Sequence, residues 1–209
     1  MREFNLPRVY PITDARLTGL SHAEQVVRLS QGGASFIQLR EKHLSPRDFY
    51  RQAKAAQQEA QAHGARLIIN DRVDLALALG ADGVHLGQDD MPPDAARTLL
   101  GERAIIGFST HSVEQALAAT RLPVDYIAIG PIFPTSTKEK PDPVVGLDGL
   151  RRVREAIGQT PLVAIGGIDH GNARSVIEAG ADAVAVISAL LADPRQITRR
   201  MRELLAALD

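Results

Sequence analysis

Three cations, Arg40, Lys42 and Lys138, come just after short apolar runs, the first two after "FIQL" and the third after "YIAIGPIF". Guanidinium and ammonium groups gathered on one rim suit an anion such as diphosphate. Two carboxylates, Asp71 in "IIND" and Asp90 in "HLGQDD", follow two further runs. They could meet across one hard cation. Mg²⁺ typically takes one or two protein carboxylates and completes its shell with substrate phosphates and water. Asp89 stands beside Asp90 and either competes for that role or caps the next helix. After the last two runs come "GG", with Gly167, and the pair Ile187-Ser188. Small residues there expose backbone N–H groups, which suits a phosphate monoester. The stretch "GPIFPTSTKEKPDP" (130–143) leaves an apolar run for Thr135, Ser136, Thr137 and Lys138. Connections this long are usually functional or disordered. The pattern points to two phosphorylated ligands, one diphosphate held by cations and Mg²⁺, one monophosphate held by amides.

Each feature also has a plainer reading. An Arg-x-Lys pair after a strand is often a solvated loop, and Asn70-Asp71 ahead of a helix would cap it. His85 alternates with Val84 and Leu86, which suits a satisfied interior histidine, and His111 reads as a packing or capping residue. Lys140 and Asp142 read as solvated loop charges. Against these stands coincidence, since polar or Gly-rich chemistry follows one apolar run after another.

The elements that must position these residues alternate regularly. Eight near-continuous Val/Ile/Leu runs lie at 9–13, 36–40, 66–70, 83–87, 104–109, 126–131, 162–167 and 183–188. Such runs suit parallel strands buried on both faces. Helical patterns fill the gaps: 21–33, 45–64, 72–80, 93–101, 112–120, 146–158, 170–180 and 194–208. The first two open on Ser and close on Gly, the second with Pro at its first turn, as helix termini prefer. "LGADGVHLG", "AGADAVAVIS" and the looser "QGGASFIQLR" form a weak repeat of about one βα module. Eight βα units in 209 residues predict an α/β protein, a single (β/α)8 TIM barrel spanning 1–209. A doubly wound sheet is the alternative, but no GxGxxG follows the first run. In a barrel, chemistry collects at the C-terminal ends of the strands, where the residues above fall.

Composition excludes several functions. The chain lacks Cys, which removes disulfides, thiolate catalysis and Cys-based zinc sites. A net charge of -1 gives no global field for nucleic acid or an anionic membrane, so any phosphate site is local. Aromatic residues are only 4%, too few for base-stacking platforms. The sequence has neither a signal-peptide-like apolar region nor about 18 consecutive apolar residues, so a cytoplasmic location is the expectation.

"QLREK", "IINDRVDLALALGADGVHLGQDD", "GFSTHS", "YIAIGPIFPTSTK", "VGLDGL", "LVAIGGI" and "AGADAVAVIS" together resemble the thiamine-phosphate synthase (thiamin phosphate pyrophosphorylase) family, in order, from about Tyr10 to Leu190. The resemblance implies an alkyl transfer. A hydroxymethylpyrimidine diphosphate would lose diphosphate, and the nitrogen of a hydroxyethylthiazole phosphate would capture the resulting cation, giving thiamine phosphate. It further implies that Gln38, Leu39, Arg40, Glu41, Lys42, Asn70, Ser109 and Lys138 hold the pyrimidine diphosphate, with Arg40, Ser109 and Lys138 closest to the chemistry. Asp71 and Asp90 would bind Mg²⁺. Thr135, Ser136, Thr137, Gly167, Ile187 and Ser188 would hold the thiazole phosphate, with the 131–145 segment acting as a lid. Two alternatives come with it: a thiazole tautomerase-like relative, which would carry a histidine where Pro131 stands, and a non-catalytic barrel binding thiamine precursors. Nothing in the sequence fixes whether the chain forms a homo-oligomer.

Overall fold

The computed structural model describes residues 5–135 and 142–208. Eight parallel strands close into one barrel in sequence order: β1 (Val9–Thr13), β2 (Phe36–Leu39), β3 (Arg66–Asn70), β4 (Gly83–Leu86), β5 (Ile105–Thr110), β6 (Tyr126–Ile129), β7 (Leu162–Ile165) and β8 (Ala183–Val186). Around them run α1 (Ala15–Thr18), α2 (His22–Gln31), α3 (Pro46–Ala62), α4 (Val73–Leu79), α5 (Pro93–Leu100), α6 (Val113–Ala119), α7 (Gly146–Ile157), α8 (Ala173–Glu178), α9 (Ser188–Leu191) and α10 (Ile197–Leu208). All eight expected strands are present. Two short helices, α1 and α9, are additions. The second arises because β8 stops at Val186, so that Ser188 opens a helical turn rather than ending a strand.

Strand alternation sorts side chains between two cores. One face of each strand packs inside the barrel, where Tyr10, Phe36, Ile68, Tyr126, Val163 and Ala185 meet. The other face, with residues such as Ile37, Leu39, Leu67 and Ile69, packs against the helices. Ser21 and Glu24 form a reciprocal capping box at the start of α2, which places Val26 and Leu29 fully under the helix. Ser45 caps α3 in the same way, ahead of Pro46.

The sequence repeat has a structural cause, and its period is two βα units rather than one. Asp82, Asp125 and Asp182 directly precede β4, β6 and β8. Their carboxylates accept the N–H groups of Leu67, Ile106 and Leu162 on the preceding strands. Arg97 of α5 and Arg154 of α7 reach Asp125 and Asp182 at 2.8 and 2.5 Å and also satisfy loop carbonyls. These contacts tie strands together at the N-terminal face and leave the opposite face to loops. Among the described residues no helix is long and apolar enough to cross a membrane.

Candidate active site

The same alternation decides which residues of "QLREK" face the barrel mouth. Phe36 points inward, and so does Gln38, whose amide donates to the hydroxyl of interior Tyr10 at 3.0 Å. Past the strand end, Arg40 and Lys42 each meet a carboxylate that follows a neighbouring strand. The Arg40 guanidinium lies 3.4 Å from the Asp14 carboxylate, and the Lys42 ammonium pairs with Asp71. Leu39 and Glu41 point the other way. Leu39 is fully buried against the helices, and the Glu41 carboxylate meets His22 of α2 at 3.3 Å. The structure therefore separates these two side chains from the cations expected beside them.

Asp71 is not the helix cap that an Asn-Asp pair suggests. The cap position of α4 is Arg72, with no side-chain hydrogen bond, while Asp71 sits at φ 61°, the one described non-glycine residue with positive φ. This left-handed conformation costs free energy for a residue with a Cβ and is tolerated best by Asp and Asn. Strain of this kind gathers at functional sites. It turns the Asp71 carboxylate toward Lys42 and Asp90. Asp90 accepts the Gly87 amide at 2.7 Å, which fixes its carboxylate after β4. Burial raises the Asp90 carboxyl above its ordinary value. The Gly87 amide opposes that shift and neighbouring Asp71 adds to it. Asp89 is exposed and caps no helix.

Two carboxylates held close enough to disfavour each other's charge are a donor set that suits a hard divalent cation. Among the described residues no group of three His, Cys, Asp or Glu gathers here or elsewhere, so protein side chains alone would not complete a metal shell. The Asp71–Asp90 pair therefore fits Mg²⁺ of the kind that relies on substrate phosphates and water for the rest of its shell.

A second feature was not visible in the sequence. Gln38 and Ser109 are joined through the barrel interior by a chain of hydrogen bonds. Gln38 donates to Tyr10, Tyr10 meets Tyr126 at 2.9 Å, Tyr126 meets His85 Nδ1 at 3.0 Å, and His85 Nε2 meets Ser109 Oγ at 2.8 Å. Tyr10 accepts from Gln38, and the donor in each later bond follows the His85 tautomer; with either tautomer the chain holds Ser109 Oγ in place at the mouth. His85 is thus the satisfied interior histidine its alternation suggests, and it also orients a mouth residue. Asn70 pairs with His85 across β3 and β4 and is likewise buried. The signals were present in the inward positions of β1, β4, β5 and β6, but only barrel closure brings them into line.

Burial lowers His85 from its ordinary 6.5 to about 4, against the opposing field of Asp90. Between those pH values the unfolded chain carries a proton on this imidazole and the folded chain does not. The stability tied to this group is therefore complete above pH 6.5 and is lost as pH falls toward 4, by about 3 kcal/mol. Urea titrations of the wild type and His85→Gln across this window should show a shallower pH slope in the variant. An equal slope would contradict the assignment.

The other half of the mouth lies at β6–β8. Segment 131–134 folds onto the end of β7: Ile132 N donates to Ile165 O at 2.9 Å and Phe133 N to Gly166 O at 3.0 Å. Gly167, at φ 64°, packs so closely under Phe133 and Pro134 that a Cβ there would lie 2.6 Å from the Pro134 carbonyl. This brings Thr135 beside Gly167. The register Ile165↔Ala185 makes β7 and β8 end side by side, so the Gly166-Gly167 turn and Ile187-Ser188 leave from adjacent strand ends. Ser136, Thr137, Lys138 and Lys140, and with them the middle of the expected lid, lie outside the described residues. His111 Nδ1–H donates to the Gly130 carbonyl at 2.7 Å, as a packing residue should. Asp142 lies 3.5 Å from the same ring rather than standing alone as a loop charge.

Comparisons with known proteins show the family and the fold. Residues 9–190 match a family model described as thiamine monophosphate synthase. A thiamine-phosphate synthase of Albidiferax ferrireducens is 50% identical over 204 residues, 96% of this chain and 93% of that protein. One of Chloroflexus aurantiacus is 46% identical over 202 residues, covering 95% and 93%. The solved structure of a thiamine phosphate pyrophosphorylase from Pyrococcus furiosus superposes with a TM-score of 0.87 at 39% identity, covering 98% of this chain and 96% of that one.

Proposed function

The chain belongs to the thiamine monophosphate synthase family, and from that premise we propose how its barrel mouth performs the reaction. It is a transferase that condenses a pyrimidine and a thiazole moiety to thiamine phosphate. In our reading the electrophile is 4-amino-2-methyl-5-hydroxymethylpyrimidine diphosphate and the nucleophile is 4-methyl-5-(2-hydroxyethyl)thiazole phosphate. The observation that carries the reading is the Lys42–Asp71–Asp90 cluster at the ends of three successive strands, opposite the Gly167–Ser188 corner. It provides separate places for a diphosphate and a monophosphate in one mouth.

Asp71 and Asp90 would hold Mg²⁺, which when bound supplies charge neutralisation to a departing diphosphate. Arg40 and Lys42 bind that diphosphate, with Lys138 as a third cation. Their role is electrostatic, since the developing charge sits on the leaving group and preorganised cations stabilise it without rearranging. Gln38, Asn70 and Ser109 hold the pyrimidine ring, and the interior chain fixes the Gln38 and Ser109 rotamers before substrate arrives. Thr135, Gly167, Ile187 and Ser188, with Ser136 and Thr137, hold the thiazole phosphate and so aim the ring nitrogen. Positioning of this kind can supply much of a bimolecular rate gain. No strong base is required of the protein, in keeping with a mouth rich in cations and hydroxyls. The reading takes the partners to be two small substrates, with no nucleic acid, in the cytoplasm.

The test is a coupling assay with the purified chain, both substrates and Mg²⁺, read by oxidation of product to fluorescent thiochrome. Signal should require all three additions and vanish with EDTA. Signal that persists in EDTA would remove the metal from the reading. No signal from a folded chain would turn the reading toward the tautomerase-like or non-catalytic alternatives.

A further inference from the structure

His22 belongs to none of the motifs that mark the mouth, yet it is wholly buried behind one of them. Its ring spans two strands. Nδ1 lies 2.8 Å from the Thr13 hydroxyl at the end of β1, and Nε2 lies 3.3 Å from the Glu41 carboxylate just past β2. A carboxylate can only accept, so Nε2 carries the proton and Nδ1 accepts from Thr13. Thr13 Oγ1 in turn accepts the Arg40 N–H at 3.4 Å. Glu41 Oε1 also accepts the N–H groups of His43 at 2.6 Å and Leu44 at 3.2 Å. One turn further along α2, fully buried Gln25 accepts the Asp14 N–H at 3.0 Å, and Asp14 faces the Arg40 guanidinium. The inner face of α2 therefore holds the Thr13-Asp14 segment that contacts Arg40 and the Glu41 side chain that follows it.

The charge pattern gives this grip a purpose. Glu41 is an anion placed between two cations in the sequence. In the mouth it would neutralise Arg40 and Lys42 and repel a diphosphate. Held outward, with its side chain 6% exposed, it does neither. We propose that His22 is a positioning residue of the diphosphate half of the mouth: by holding Glu41 outward it keeps a further carboxylate away from Arg40 and Lys42, which already face Asp14 and Asp71. The inference rests on the site reading above, but nothing in that reading requires His22.

The experiment uses the full chain with His22→Leu, which fills the space without either hydrogen bond, and His22→Gln, which keeps a donor for Glu41. In His22→Leu, KM for the pyrimidine diphosphate should rise about tenfold, the scale of one lost hydrogen bond to a charged group. Affinity for inorganic diphosphate with Mg²⁺, measured by calorimetry, should fall in parallel, while KM for the thiazole phosphate stays put. His22→Gln should recover most of the loss. A general weakening of the fold would raise both KM values and would not be rescued, so either result overturns the proposal, as does an unchanged KM for the diphosphate substrate. If His22→Leu fails to fold, Thr13→Val replaces it and should shift the same substrate alone. No shift there also overturns the proposal. A wild-type chain that makes thiamine phosphate yet binds no diphosphate would instead sink the site reading, and this inference with it.

Discussion

Asp71→Asn is expected to leave a folded protein whose turnover is reduced about a hundredfold or more and whose Mg²⁺ half-saturation moves at least about tenfold higher. The choice of Asn matters. Asp71 holds φ 61°, and Asn tolerates the left-handed region nearly as well as Asp, so the backbone stays while the charge goes. Asp71→Ala would confound lost charge with added strain. Two effects should follow from the lost carboxylate. Asp90 loses the neighbour that helps raise its carboxyl, and Lys42 loses its ion-pair partner. The variant thus keeps one metal-binding carboxylate and gains a freer ammonium, so binding of inorganic diphosphate without metal should hold or improve even as Mg²⁺-dependent turnover collapses. Thiochrome assays across a Mg²⁺ titration check the first outcome and metal-free calorimetry the second. A wild-type Mg²⁺ curve would refute Asp71 as a ligand.

Gly107→Ala is expected to destabilise the barrel by about 3–5 kcal/mol. That is an overpacking cost plus the cost of leaving buried polar groups unpaired. Gly107 faces inward on β5, level with His85 on one side and Tyr126 on the other. A Cβ there would overlap the Tyr126 ring around its hydroxyl. The ring cannot yield cheaply, because it is fully buried, packs edge-on to Tyr10 and lies stacked near His85. Moving it breaks the hydroxyl's bonds to Tyr10 and His85, and Ser109 then loses its ordered partner. Urea midpoints measure the effect. The same change made in Tyr126→Phe should cost less, because that background has already given up the hydroxyl's bonds to Tyr10 and His85, a non-additivity expected of groups in contact. A midpoint equal to wild type would mean the interior chain does not constrain the barrel.

Tyr10, Tyr126 and His85 show why this part of the site was hidden. Each appears in the sequence as one aromatic or one histidine in an apolar run, for which the core is the ordinary explanation. Their hydrogen bonds join residues 116 and 41 positions apart, which no local pattern encodes. Glu41 shows the converse. The motif groups it with Arg40 and Lys42, and only the position of α2 reveals that its carboxylate is withdrawn. Asp71 reads locally as a cap, and its backbone conformation makes it something else.

What the sequence determined by itself is the alternation. Eight buried runs, each followed by a stretch of helical period, dictate parallel strands and a closed α/β barrel. The rule that chemistry lies after the strands then selects Arg40, Lys42, Asp71, Asp90 and Gly167 without coordinates. These are local properties, set by side-chain period and by residues a few positions apart. The tertiary structure decided which of the selected side chains face one another. Closing eight strands fixes a register between residues distant in the chain, and only that register joins Gln38 to Ser109, sets Asp71 against Asp90 and gives Glu41 to His22 rather than to the mouth.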